Sequence, residues 1–193
     1  EANQQFCKFV KNNYIDWVQP DNDDSPIMSH TLVEEKVAPI IKKSKSTFFV
    51  VIDNLRYDQW LTIKPVLREK FDVKTEELYV SILPTATQYA RNALFAGLMP
   101  LDIQKNFPKY WKNDEDEGGK NLFEAELLQK NLERLGRKIK WSYNKITNHA
   151  AGKTLADNFS QLLDNKLNCI VYNLMIFFAA EKLTSNFVKN GKI

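Results

Sequence analysis

The chain is poor in the residues that mark several protein classes. It has two cysteines, Cys7 and Cys169, and two histidines in 193 residues. The cysteines stand far apart among apolar neighbours, so we expect buried free thiols rather than a disulfide framework or a zinc-binding motif. Such cysteine usage fits a reducing cytoplasm. We expect no membrane insertion, because the longest apolar run, near residues 170–180, is short and interrupted by Asn173.

An excess of charge of one sign is also lacking. The 27 basic residues nearly balance the 24 acidic ones, for a net charge of +3. This balance does not by itself predict nucleic-acid binding, which requires clustered positive charge. Apolar residues make up 44% of the chain and aromatic residues 12%, enough for a packed core. We expect a piece of a longer protein, because the chain begins at Glu1 and its start has no signal-peptide features.

The pattern of apolar residues predicts strands that alternate with helices. Residues 1–18 and 29–41 are typical of helices, with Pro39 near the end of the second. The β-branched and aromatic run 47–52 favours a central strand of a parallel sheet covered by helices. Further strands are predicted at 78–83, 138–141 and 169–172, and further helices at 57–70, 86–96, 121–135, 153–163 and 174–188. The longest irregular segment is predicted at 98–120. We therefore expect an α/β fold with a mostly parallel sheet flanked by helices.

Two residues that directly follow predicted strands could carry chemistry. Asp53 follows the first strand, and Thr85 follows the second and opens a helix. Ligands of parallel sheets bind beyond the carboxyl ends of the strands. An aspartate there suits a divalent metal, and a threonine at a helix N-terminus suits a phosphate. The plainer alternatives stay open, namely a turn residue for Asp53 and a helix cap for Thr85.

Longer stretches resemble a known family. Residues 48–60 and 81–93 resemble the first strand and the nucleophile segment of PglZ domains in the alkaline phosphatase superfamily. The likeness extends to the effector domain of PorX-type response regulators of type IX secretion, where a receiver domain precedes a helical linker. It covers residues 1–173, including 110–114, 118–122 and 145–148. The resemblance implies an incomplete alkaline phosphatase-like fold, with 1–45 as linker, 46–173 as the N-terminal part of the domain and 174–193 as a divergent tail.

The resemblance also implies roles for single residues. It implies a zinc-dependent phosphodiesterase or phosphatase whose intact site holds two zinc ions. Asp53 would be a metal ligand, and Thr85 would be both the nucleophile and a metal ligand, with Thr87 as second choice of nucleophile. Arg91 and Asn92 would contact the substrate phosphate, or else make solvated or interdomain contacts. A separate pair outside this set, Arg56 and Asp58, fits a local ion pair at least as well as a site.

The chain departs from the family after the last predicted strand. Relatives carry an aspartate and a histidine four residues apart beyond that strand, whereas residues 174–180 here contain neither. The histidines of the chain, His30 and His149, match no ligand position of the family. We therefore expect an underfilled metal site and an inactive chain.

The resemblance implies partners for the intact parent protein. These are a phosphoester or oligonucleotide-type substrate, a receiver domain and a sensor kinase, together with a homodimer, in the cytoplasm. Two alternatives stay open. The chain could be a non-catalytic scaffold for dimerisation or partner binding, or a plain α/β domain in which Asp53 and Thr85 are only caps.

Overall fold

The computed structural model describes residues 1–19 and 24–173. These residues fall into two compact units. The first unit combines Glu1–Glu35 with Glu77–Asn131. The second combines Lys36–Glu76 with the residues from Leu132 to the end of the described chain. The predicted helix at 174–188 lies outside the described residues.

Helices open the chain, as predicted. Helix α1 spans Ala2–Trp17, and a π-helical turn at Val33–Val37 leads into α2 at Ala38–Lys43. Pro39 occupies the first turn of α2 rather than the end of a single helix over 29–41. This placement is favourable, because the missing N–H of a proline costs no hydrogen bond in the first turn of a helix.

The second unit contains a three-stranded parallel sheet. Its strands are β1 at Thr47–Asp53, β2 at Trp141–Ile146 and β3 at Leu167–Asn173, in the spatial order β1-β3-β2. Helix α3 at Tyr57–Arg68 follows β1, and α7 at His149–Asp157 and α8 at Phe159–Leu162 connect β2 to β3. The predicted α/β architecture with a parallel sheet flanked by helices is confirmed.

The position of β1 in the sheet differs from the prediction. Within the described residues β1 pairs with β3 alone, so it is an edge strand and not the central one. Its Val50 and Ile52 share one face and are 51% and 37% exposed. The central strand is β3, in which Cys169 and Val171 are fully buried. An unbroken apolar run therefore did not distinguish a central strand from its neighbour.

The predicted second strand at 78–83 is wrong. In the described chain this segment makes one isolated bridge, between Val80 and Met28, and belongs to the first unit. Two backbone amides at the end of this segment donate to side-chain hydroxyls. Ile82 N–H donates to the hydroxyl of Ser29 at 3.2 Å, and Leu83 N–H donates to the hydroxyl of Tyr14 at 2.7 Å. These hydroxyls satisfy the backbone where a neighbouring strand would otherwise do so.

The remaining regular elements that begin in the first unit are helical. Helix α4 spans Thr87–Ala96, α5 spans Pro100–Asn106, and α6 spans Glu124–Arg134, with a 3₁₀ turn at Pro108–Tyr110. The predicted irregular segment 98–120 therefore contains a helix. A small core forms from Met28, Ile82, Ala90 and Ala93.

Smaller differences concern boundaries and cysteines. Strand β2 begins where the predicted strand at 138–141 ends, and the predicted helix at 153–163 is split into α7 and α8. Helix α7 starts early because the side chain of Asn148 accepts a hydrogen bond from Ala151 N–H at 2.8 Å. Cys169 is buried as expected, but Cys7 is exposed on α1. In residues 1–19 and 24–173, no helix has the length and apolar character needed to cross a membrane.

One buried side-chain amide stabilises the amino-terminal end of the sheet. The side chain of Asn168 in β3 is fully buried and makes four hydrogen bonds. Its Nδ2 donates to Leu162 O at 2.8 Å and to Ser46 Oγ at 3.2 Å. Its Oδ1 accepts from Ser142 Oγ at 2.8 Å and from Asn165 Nδ2 at 2.9 Å. The amide thus makes all four hydrogen bonds that its side chain can form. These bonds connect the starts of all three strands.

Replacing this amide should weaken the sheet unit. We expect Asn168→Leu to lower the free energy of unfolding by about 2–3 kcal/mol, because the buried donor of Asn165 and the half-buried donor of Ser142 lose their acceptor. Urea denaturation measures the change. The matched control is Asn12→Leu at an exposed position of α1, where we expect little effect. Equal stability of the two variants would contradict the role of Asn168.

Candidate functional site

Asp53 occupies the carboxyl edge of the parallel sheet, as the sequence predicted. It is the last residue of β1, stands opposite Asn173 of β3 and is half-buried. Asn54 follows with φ of 65°, in the left-handed region that asparagine tolerates better than most residues. This turn leads the chain out of the sheet toward α3. Asp53 is therefore held at the edge where parallel sheets bind ligands.

The turn after Asp53 is braced by local contacts. Arg56 donates to Asp58 from Nε at 2.9 Å and from Nη2 at 2.7 Å, and its backbone N–H donates to Gln59 Oε1 at 2.9 Å. The guanidinium lowers the pKa of the Asp58 carboxyl through this hydrogen bond. The structure contains this local ion pair, one of the two interpretations that the sequence left open, and the pair is exposed to solvent.

Thr85 lies in the first unit, just ahead of α4. It follows the cis peptide bond Leu83–Pro84, and its side chain is exposed. Ala86 is the N-cap of α4 and Thr87 is its first residue, also exposed. Thr85 is therefore not the helix cap that the sequence left as an alternative. Its hydroxyl stands in solvent ahead of a helix N-terminus.

The side chain of Arg91 takes part in a buried ion pair. Its Nη2 lies 2.6 Å from Glu124 Oε1 and 2.9 Å from Glu124 Oε2, and the two side chains are 12% and 1% exposed. Asn121 Nδ2 also donates to Glu124 Oε1, at 2.9 Å. The pair connects α4 to α6 within the first unit.

Asn92 is buried in the same region. It is 1% exposed, and its Nδ2 donates to the carbonyl oxygen of Lys120 at 3.1 Å. These contacts of Arg91 and Asn92 are buried and lie within the first unit, so they are not the solvated or interdomain contacts that the sequence left open. A role of either residue toward phosphate stays a prediction. Sequence reasoning missed Glu124, because an acidic residue in the first turn of a helix is typical of a solvated, dipole-stabilising position.

Removal of the Glu124 carboxylate should reveal the structural role of the ion pair with Arg91. We expect Glu124→Gln to lower the free energy of unfolding by about 3 kcal/mol, because a buried guanidinium loses its counter-charge. Denaturant unfolding followed by circular dichroism measures it. The matched control is Asp58→Asn in the exposed pair with Arg56, for which we expect little change. Equal stability of the Glu124→Gln and Asp58→Asn variants would contradict a structural role of the buried ion pair.

The described residues do not fit a complete metal site. In the part of the chain that the structure describes, no three histidine, cysteine, aspartate or glutamate side chains converge to hold a metal ion. His30 is partly buried, and burial lowers the pKa of its imidazole. His149 opens α7 and is exposed. Asp53 therefore belongs to no group of three such side chains among these residues.

A comparison with known protein families identifies the family of the chain. The profile of the BREX system PglZ alkaline phosphatase-like domain matches residues 32–188, more than half of the chain. The chain belongs to the PglZ family. No curated protein matches the PglZ chain. Membership indicates a phosphoesterase-type family, and alkaline phosphatase-like proteins generally use metal ions.

The matched range of the PglZ chain includes the sequence-predicted site residues. It contains Asp53, Thr85, Arg91 and Asn92, and it runs past Asn173 to residue 188. The match thus begins earlier and ends later than the span 46–173 expected for the domain. The domain boundaries, and the divergent tail with them, stay a prediction.

Proposed function

We propose that this chain is the incomplete effector domain of a PorX-type response regulator, cytoplasmic and built on a phosphoesterase-type fold. In the complete protein we assign Asp53 as a zinc ligand and Thr85 as the nucleophile and a further ligand. The substrate of that protein would be a phosphoester of the phosphodiester or oligonucleotide type. We propose that the chain by itself does not hydrolyse phosphoesters.

The position of Asp53 carries the assignment of the site. Asp53 ends a strand at the carboxyl edge of a parallel sheet, inside the range of the PglZ match. This position supports the proposed role, because ligands of parallel sheets bind beyond the carboxyl ends of the strands. The exposed hydroxyl of Thr85 ahead of α4 is compatible with a nucleophile. Backbone N–H groups at a helix N-terminus suit a phosphate.

The ligand set supports the proposed inactivity. Residues 174–180, which follow β3 in sequence, contain neither aspartate nor histidine. The whole chain has two histidines, and neither joins a cluster of ligands among the described residues. A zinc site needs three or four protein ligands, and a site with fewer ligands binds the metal weakly.

Metal content and hydrolysis test the proposal together. After dialysis we expect far less than stoichiometric zinc by elemental analysis, and the same content in Asp53→Ala and in its control Asp58→Ala. We expect hydrolysis of bis(p-nitrophenyl) phosphate with added zinc to stay at background, and to be the same in Thr85→Ala and in the exposed control Thr75→Ala.

Stoichiometric zinc that is lost only in Asp53→Ala would show that a metal site exists in this chain. Hydrolysis that disappears only in Thr85→Ala would show an active phosphoesterase. Either result would overturn the proposed inactivity, and both together would establish the two assigned roles.

A specific observation favours a second candidate function, a scaffold that dimerises. Helix α3 buries none of its residues completely. Leu61 and Val66 on α3 are 49% and 62% exposed, and Val50 and Ile52 on β1 are exposed as well. Exposed apolar residues that form a contiguous patch are typical of protein interaction surfaces. A second copy of the chain is the partner that this candidate specifies.

Charge placed on α3 should disrupt self-association. We expect wild-type protein to show a molar mass that rises with concentration, and Leu61→Glu to remain monomeric, because the new carboxylate would be desolvated in the interface. Sedimentation equilibrium measures the mass. The control is Leu101→Glu on α5, which is 59% exposed in the other unit. A concentration-independent monomer with a sharp thermal transition would contradict self-association.

A further inference from the structure

The turn at residues 28–31 holds the segment that precedes Thr85. Ser29 N–H donates to the carbonyl oxygen of Val80 at 3.2 Å. The hydroxyl of Ser29, a residue that is 1% exposed, accepts from Ile82 N–H at 3.2 Å. The segment leads from there to Thr85. The placement of Thr85 ahead of α4 therefore depends on the conformation of this turn.

The turn and the segment also share one core. Thr31 closes the turn, because its hydroxyl accepts from Met28 N–H at 3.1 Å and its own N–H donates to Met28 O at 3.1 Å. Met28 is 1% exposed and belongs to the same buried cluster as Ile82. A change in the conformation of the turn is therefore transmitted to the segment.

His30 is the ionisable residue of this turn. It is partly buried, and its Nδ1 is inaccessible to solvent and has no hydrogen-bond partner among the residues that the structure describes. A neutral imidazole carries one N–H, whereas the imidazolium carries an N–H on both nitrogens. The charged form would therefore place a buried donor at Nδ1 without an acceptor, which is unfavourable.

The surroundings of His30 favour the neutral imidazole. Burial lowers the pKa of His30, because it disfavours the charged form. Two carboxylates act in the opposite direction, Glu35 of the π-helical turn and Asp102 in the first turn of α5. Their effect on the pKa is smaller than that of burial. The folded turn thus accommodates the uncharged ring better than the charged one.

The lowered pKa makes the closed turn sensitive to acid. The folded chain binds this proton less readily than the unfolded chain, in which the pKa of a histidine is about 6.5. The stability that depends on the neutral ring is therefore present in full above about pH 6.5, and it is lost as the pH falls through the lowered pKa of the folded chain. One proton changes the ratio of open to closed turn by at most about tenfold per pH unit.

We propose that His30 is a pH-sensitive switch for the segment that precedes Thr85. At neutral pH the imidazole is uncharged, the turn at residues 28–31 is closed and the hydroxyl of Ser29 holds Ile82. On acidification the imidazole takes a proton from water, and the turn opens to hydrate the new N–H. The amides of Ser29 and Ile82 then lose their acceptors. The proposal goes beyond the proposed function and depends neither on zinc nor on hydrolysis.

Hydrogen exchange of the full chain, followed by nuclear magnetic resonance, tests the switch. We expect the opening of the Ser29 and Ile82 amides to increase, by at most about tenfold per pH unit, as the pH falls from about 7 to about 5. We expect His30→Gln to lose this increase, because its side chain takes up no proton in this range. The matched control is His149→Gln at an exposed position of α7, which should keep the pH dependence of the wild type.

Titration of the imidazole signals tests the cause. We expect the His30 signal to titrate at a lower pH in the folded chain than in the chain unfolded by urea, because burial disfavours the charge. Glu35→Gln should lower the midpoint further, because it removes one carboxylate that favours the charged ring. The chain has two histidines, so comparison with His149→Gln assigns both signals.

Three results would overturn the proposal. The first is a His30 signal that titrates at the same or a higher pH in the folded chain. The second is a pH dependence of opening that persists in His30→Gln. The third is a pair of amides at Ser29 and Ile82 that stay closed while His30 gains its proton, since the turn would then tolerate the charge. The first and third need only the wild-type chain, so the test remains decisive if His30→Gln fails to fold.

Discussion

The hydrogen-bonded pairing of β3 with both neighbours is the constraint on which the sheet unit depends. Each flanking strand contacts β3 in register, so the positions of β1 and β2 follow from a single strand. Asn168 fixes the amino-terminal end of this arrangement through four hydrogen bonds. Because all three strands are parallel, their carboxyl ends share one edge, and this edge carries Asp53.

The first unit differs from the sheet unit because polar side chains are buried in it. Its helices bring polar side chains into the interior, and these side chains require partners there. The carboxylate of Glu124 neutralises Arg91, and the backbone of Lys120 accepts from Asn92. A buried ion pair contributes little net stability compared with apolar packing, but losing one partner leaves an uncompensated charge. The pair therefore fixes how α4 packs against α6.

Family membership and catalytic competence are separate properties of this chain. The PglZ fold brings strand ends to one edge, which is the scaffold that phosphoesterase chemistry uses. Chemistry also requires several ligands that converge on one point, and those ligands come from positions distant in sequence. In the described residues Asp53 stands at the edge without such a group.

The sequence by itself determined the fold class, the helix at the start, the first and last strands and the location of Asp53 at a strand end. These features depend on local periodicity and on residues that are adjacent in the chain. It also indicated the family, because long stretches carry that signal.

Only the tertiary structure decided which strand is central, where the segment before Thr85 finds its hydrogen bonds and what Arg91 contacts. A run of apolar residues predicts a strand, but it does not predict how many neighbouring strands pair with it. The hydroxyls of Tyr14 and Ser29 and the carboxylate of Glu124 are between 33 and 69 residues away from their partners. Contacts at such separations arise from packing, and no local pattern encodes them.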